Sequence, residues 1–300
     1  MAERSWRGCF AIPMTPFDED DRIDVDVLAD EIEFCVQAGA AGLVTPVMVS
    51  EFRLLSEEER RLMMRVPVEV AAGRVPVVAN CAAVNTPLAV NYARYAMEVG
   101  ADAVIAMPPY IHRPDFETVF AYYKAISDAV DVPVWVQNAG VVALSADQII
   151  RLCAEIEHVS WVKEEVAPST HSISALLSKK SPHLAGVMGG AAGRYMIAEW
   201  ARGAAGVVPA CEFCDVVQRI WDLLDGGEPD AAGDLFERLM PALMLESLMG
   251  MAYAKEIMIR RGVFRNRRIR TQSCPLDDED MREIDRVWAR LEPHLLWRRG

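Results

Sequence analysis

Eight short apolar runs, each followed by a longer amphipathic stretch, set the tightest limit on what this chain can fold into. The runs are CFAIPM (9–14), GLVTPV (42–47), VPVVAN (75–80), DAVIAMP (102–108), VPVWVQN (132–138), VSWVKEE (159–165), LAGVMGG (184–190) and AGVVPA (205–210). They are apolar along their length rather than alternating. Strands of that kind are buried on both faces, as in parallel sheets covered by helices. The stretches between them carry helical signals, as in DVDVLADEIEFCVQAG (24–39), PLAVNYARYAMEVG (87–100) and DFETVFAYYKAISDAV (115–130). SEEERRLMMRVPVEVAAG (56–73) opens with Ser56 and Glu59 at capping-box spacing. Eight repeats predict an α/β fold, a (β/α)8 TIM barrel. An open doubly wound sheet is the competing architecture, weakened because no G-x-G-x-x-G fingerprint follows the first run. Strand signals stop after about residue 225, and EPDAAGDLFERLMPALMLESLMGMAYAKEIMIRRG and DDEDMREIDRVWARLEPHLL read as helices. The expected organisation is a barrel over 1–225 and a C-terminal helical extension over 226–300.

Composition excludes several function classes. A formal charge of −13 argues against non-specific nucleic-acid binding. The one basic run, RRGVFRNRRIR (260–270), reads either as a phosphate-binding patch or as a solvated helix end or interface strip. Seven scattered cysteines resemble reduced thiols more than a disulfide framework. CEFC (211–214) lacks the second pair or histidines that a zinc site needs, so it reads as packing, and no metal is expected. With no leader-like segment and no run of 18 uncharged apolar residues, a cytoplasmic protein without membrane contact is expected.

One residue stands out chemically. Lysine is scarce, at five residues against 26 arginines, yet Lys163 ends the apolar run VSWVKEE. Barrel active sites lie at the C-terminal ends of strands, so Lys163 would point into the mouth. Burial disfavours an ammonium, and a neutral amine attacks a ketone to form an imine, an electron sink for C–C or C–O cleavage. The alternative is a lysine paired with Glu164 or Glu165 on a solvated loop. Strand alternation puts Lys163 and Glu165 on one face and Glu164 on the other.

At these residues the chain resembles the dihydrodipicolinate synthase / N-acetylneuraminate lyase family of Schiff-base aldolases and dehydratases. GCFAIPMTPFDEDDRID is similar to the family's opening strand and turn. SEFRLLSEEER resembles G-E-[ST]-x-x-L-[ST]-x-E-E-[RH], with Glu51 on its glutamate. PPYIHRP resembles P-Y-Y-x-x-P, VSWVKEE the strand of the imine-forming lysine, and GGAAGRYMIAEWARGAAGVVPA the Gly-rich loop, helix and G-A-x-G strand. The resemblance covers nearly the whole chain, in order. It implies Lys163 as the imine nucleophile, a 2-oxo acid such as pyruvate as substrate, no metal or organic cofactor, and a homo-oligomer, commonly a dimer of dimers.

The departures bear on function. Where the family has G-T-T-G-E, this chain has VMVSE (47–51), so Met48 and Val49 replace the threonines. Their backbone N–H groups can still hold a carboxylate, with Ser50 adjacent. Where the family has Y-N-x-P, this chain has VQNAG: Gln137 replaces the acid–base tyrosine and Asn138 remains. Glutamine hydrogen-bonds but cannot exchange a proton near neutral pH. Val142 falls near the place of the arginine that binds the synthase's second substrate. Tyr110 remains in PPYIHRP, and Ile111 stands for the tyrosine completing the relay. The resemblance therefore implies Lys163, Gln137, Tyr110 and Glu165 as catalytic, with His112 also at the mouth. Met48, Val49, Ser50, Ile111, Gly189, Gly190 and Val208 would line the substrate, and Arg194 would take a distal carboxylate or lie exposed. A Schiff-base lyase, either aldolase or dehydratase, is expected, and not the lysine-pathway synthase. A non-catalytic sensor of 2-oxo acids is the alternative.

Overall fold

The structure, a computed structural model, describes residues 6–111, 113–140, 142–272 and 274–299. Eight parallel strands hydrogen-bond in sequence order and close into a barrel: β1 (Gly8–Ala11), β2 (Gly42–Thr45), β3 (Val77–Asn80), β4 (Ala103–Ala106), β5 (Val134–Asn138), β6 (Val159–Glu164), β7 (Gly186–Gly189) and β8 (Gly206–Val207). The fold is a (β/α)8 TIM barrel with further helices at its C-terminal end. The connecting helices are α1 (Val25–Gln37), α2 (Glu57–Ala71), α3 (Thr86–Val99), α4 (Phe116–Ser127), α5 (Ala146–Glu155), α6 (Ser169–Ser178), α7 (Met196–Trp200) and α8 (Cys214–Asp225). They are followed by α9 (Pro229–Met249), α10 (Met251–Arg260) and α11 (Asp278–Leu291).

Each strand is shorter than the apolar run it overlaps. Pro13, Pro46, Pro108 and Pro209 sit in four of those runs, and a proline has no N–H to continue a ladder. Among the described residues no helix is long and apolar enough to cross a membrane.

The contacts divide the chain into two compact units. One holds Pro76–Val208 with the residues up to Arg7, and so β3 to β8 and α3 to α7. Its strands are in register through Val104↔Val134, Gln137↔Lys163, Lys163↔Met188 and Gly189↔Val207. Trp135 and Trp161 stack at 5.3 Å between ring centroids, with Trp6 against both. Two residues further along the same strand faces come Gln137 and Lys163, so the indoles form a floor one layer beneath them. Gly186 makes room for that floor, since a Cβ there would lie 2.3 Å from the Trp161 ring.

The other unit holds Gly8–Val75 and the residues from Pro209, and so β1, β2, α1, α2 and α8 to α11. Phe10 pairs with Gly42, and its ring fills the space that a Cβ on Gly42 would occupy. The Ser56/Glu59 capping box starts α2 as the sequence predicts. The long stretch read as one helix from 228 is broken at Gly250, whose φ of 62° and ψ of −140° suit glycine, giving α9 and α10.

The basic run is partly solvated, with Arg265, Arg267 and Arg268 exposed, and partly tied down. Five of its arginines form ion pairs: Arg260 with Glu256 and Asp285, Arg261 with Asp215, Arg265 with Asp24, Arg267 with Glu256, and Arg270 with Asp21 and Glu59. Lys255, fully buried, pairs with Glu51 at 2.9 Å and donates to the carbonyls of Thr15 and Arg268. The second Glu51 oxygen accepts the Arg270 and Thr271 amides. Cys211 and Cys214 are buried, and the Cys211 thiol lies 3.1 Å from Glu31 Oε1.

Candidate active site

Strands β5 and β6 run side by side and present Gln137, Lys163 and, just past the strand end, Glu165 on one face. Lys163 and Gln137 are each only 2% exposed. Lys163 Nζ lies 3.2 Å from Glu165 Oε1, whose side chain is 22% exposed. The other Glu165 oxygen accepts a hydrogen bond from Gln137 Nε2 at 2.8 Å. Glu165 thus joins the lysine to the residue standing where a tyrosine was expected. The solvated-loop reading of Lys163 fails: the ion pair exists, but its lysine is buried at the end of a core strand.

Burial is the largest single influence and pushes the Glu165 carboxyl up, but the Lys163 charge and the hydrogen bonds from Gln137, Lys163 and the Ala191 amide together outweigh it. The net result is a carboxyl held below the usual range, and so an ionised acceptor at neutral pH.

Gly190 explains why this acid can sit where it does. A Cβ on Gly190 would lie 2.5 Å from Glu165 Cγ and 2.6 Å from its Oε1. The backbone then turns through Ala191, Ala192 and Gly193 with φ of 51°, 56° and 80°. The left-handed region costs an alanine roughly 1 kcal/mol, and this turn aims the Ala191 amide at Glu165. Backbone strain of this sort gathers where a site over-determines it. Val208, buried, donates its amide to the Gly189 carbonyl at 3.0 Å, so it braces the end of β7. Arg194 is half-buried at the end of the turn.

The opposite face holds a second acidic set. Asn138 Nδ2 donates to Glu164 Oε2 and to the Leu144 carbonyl, while Asn138 Oδ1 accepts the Leu144 amide. Glu164 also accepts the Val166 amide. Burial pushes Glu164 up to about 7, against those two hydrogen bonds and aided by Glu165 and Glu199. Glu199 on α7 was not anticipated. Its carboxylate accepts from Ser169 Oγ at 2.5 Å and, through burial, is raised to about 7. The available signal was an acid inside the apolar stretch MIAEW.

The remaining expected residues lie elsewhere. Tyr110, half-buried, and Ile111, 62% exposed, follow β4. His112 lies outside the described residues. In the other unit a 3-10 turn, Met48–Ser50, follows β2, with Met48 45% exposed. Ser50, expected at the substrate, is a brace instead. Its hydroxyl donates to the Pro13 carbonyl and accepts the Val47 amide, and its own amide goes to the Val47 carbonyl. Val142 is buried. No group of three or more His, Cys, Asp or Glu side chains placed to hold a metal ion occurs among the described residues.

A family model described as the dihydrodipicolinate synthetase family matches residues 5–290. The chain belongs to that family. It is 28% identical over 297 residues to L-2-keto-3-deoxyarabonate dehydratase of Azospirillum brasilense, covering 97% of this chain and 96% of the dehydratase. Against 4-hydroxy-tetrahydrodipicolinate synthase of Rhodospirillum centenum it is 36% identical over 162 residues, 53% of this chain and 55% of the synthase. The solved 4-hydroxy-tetrahydrodipicolinate synthase of Methylacidiphilum fumariolicum SolV superimposes with a TM-score of 0.88 at 22% identity, over 96% of this chain and 97% of that one, a likeness of fold. The protein is therefore a lyase of the dihydrodipicolinate synthetase family acting on a small molecule, and a dehydratase among its full-length relatives disfavours the sensor alternative.

Proposed function

We propose that this family member is a Schiff-base dehydratase of a 2-oxo-3-deoxy sugar acid. The carrying observation is the Lys163–Glu165–Gln137 arrangement, in which one ionised carboxylate touches both the amine and the residue replacing the usual tyrosine. Lys163 and the substrate ketone give an iminium and one water. Glu165 removes a proton from carbon 3, next to the iminium carbon, leaving an enamine. The enamine electrons expel the carbon-4 hydroxyl, which takes the proton back from Glu165 and departs as water. Hydrolysis of the conjugated iminium returns the Lys163 amine and an unsaturated 2-oxo acid. The net change is loss of one water, and general acid–base help of this kind contributes about 10²–10⁴-fold.

Retro-aldol cleavage would instead take the proton from the carbon-4 hydroxyl and release pyruvate. Dehydration is favoured by the full-length relationship to a dehydratase. Gln137 orients without exchanging protons, which leaves Glu165 to do both transfers. The substrate carboxylate is assigned to the Met48 and Val49 amides. Tyr110, Ile111, Gly189 and Gly190 are assigned as lining residues, and Val208 as their support. No metal or organic cofactor enters the scheme, because the iminium is the electron sink. A homo-oligomer, specifically a dimer of dimers, and a cytoplasmic location complete the assignment on family grounds.

The test is incubation with 2-keto-3-deoxyarabonate and related 2-oxo-3-deoxy acids. Loss of one water by mass, without pyruvate in a lactate dehydrogenase assay, supports the reading. Stoichiometric pyruvate would replace it with an aldolase.

A further inference from the structure

Two successive glycines at the end of β7 each carry a carboxylate packed against them. A Cβ on Gly190 would meet Glu165, and one on Gly189 would lie 1.9 Å from Glu199 Oε2. Successive strand residues face opposite ways, so the two acids grip one backbone segment from its two sides. Glu199 is fully buried, and its Oε2 has no hydrogen-bond partner among the described residues. Ser169 from α6 holds Oε1, Gly189 from β7 packs against Oε2, and Glu164 at the end of β6 and Glu165 just past it lie close enough to interact electrostatically. Just past α7, Arg202 directs its guanidinium to the Ala198 carbonyl. The cation within the acid set is Lys163, held by Glu165.

We propose that Glu199 is a positioning residue for the reaction: from behind Gly189 it holds the turn that brings the Ala191 amide to Glu165, and its ionisation makes Glu165 the stronger base. The inference rests on Glu165 as the proton carrier. The physics is Coulombic. A second carboxylate close by in a poorly solvated interior disfavours keeping Glu165 ionised and so raises its affinity for a proton. Glu199 is poised to do this near neutral pH, since burial and the charge of Glu165 raise it to about 7 while the Ser169 hydroxyl opposes them.

The test follows the pH dependence of kcat/KM, with ¹³C-glutamate NMR of Glu165 as a readout independent of turnover. In the native protein both show a step near pH 7. Because Glu164 is also raised to about 7 and interacts with Glu165 and Glu199, the comparison is made in a Glu164→Gln background, where adding Glu199→Gln, which keeps an acceptor for Ser169, removes the step from both readouts while borohydride still traps substrate on Lys163. In Ser169→Ala the step moves up by roughly half to one pH unit, because the ionised form of Glu199 loses a hydrogen bond. A step that persists unmoved in both variants overturns the proposal, as does a loss of rate parallel at every pH. If no 2-oxo acid is trapped on Lys163 of the native protein, the functional reading fails by itself, and the NMR step still decides the coupling of Glu199 to Glu165.

Discussion

Gly190→Ala isolates the chemistry from the fold. The φ of Gly190 is −137°, so alanine meets no left-handed penalty there. Its Cβ would stand 2.5 Å from Glu165 Cγ and 2.8 Å from Cδ, whereas carbon atoms pack at about 3.5–4 Å. Glu165 must therefore retreat by about 1 Å, or the turn must move. Either way the carboxylate leaves its 3.2 Å contact with Lys163 and its 2.8 Å contact with Gln137. Misplacement of a catalytic group by about 1 Å costs around 10²-fold in rate. Overpacking costs stability about 1–3 kcal/mol, a few degrees in Tm for a chain of this size. Steady-state kinetics and a thermal melt measure both. A kcat within threefold of the native value, with Glu165 shown displaced, would refute its role as proton carrier.

Three other outcomes are expected. Glu165→Gln lowers kcat by about 10²–10⁴, and trapping at high substrate shows whether Lys163 still forms the adduct. Lys255→Met strands the buried Glu51 carboxylate and costs about 3–5 kcal/mol in urea unfolding, much of it recovered in Lys255→Met with Glu51→Gln. Glu31 is fully buried and raised to about 8 by that burial, against hydrogen bonds from Cys211 and Met14 and the charge of Lys255. The folded chain thus binds a proton at Glu31 that the unfolded chain releases from about pH 4.5, and stability falls as pH rises from there to about 8. Glu31→Gln should flatten that slope, and denaturant midpoints at pH 5 and pH 8 measure it.

The barrel was legible because its signal is periodic and redundant: eight apolar runs and a capping box at Ser56 agree with one another. The place of Lys163 at the buried end of a core strand was legible in the run VSWVKEE, although the run alone left its pairing with a glutamate an equal reading. Strand alternation also placed Glu165 beside it and Glu164 opposite. What stayed hidden depends on contacts between distant segments. Ser50 looked available in sequence, yet its hydroxyl is taken by Pro13, 37 residues away. Arg270 looked like part of a surface strip because its acids, Asp21 and Glu59, lie more than 200 residues earlier. Glu199 had only its apolar neighbours to mark it, and nothing local to them says which glycine it packs against.

The most direct measurement is borohydride reduction in the presence of 2-keto-3-deoxyarabonate and pyruvate, read by intact mass and peptide mapping. The account predicts one adduct, on Lys163, absent in Lys163→Ala. An adduct confined to another lysine, or turnover by the native protein with no adduct at all, would contradict imine chemistry at Lys163.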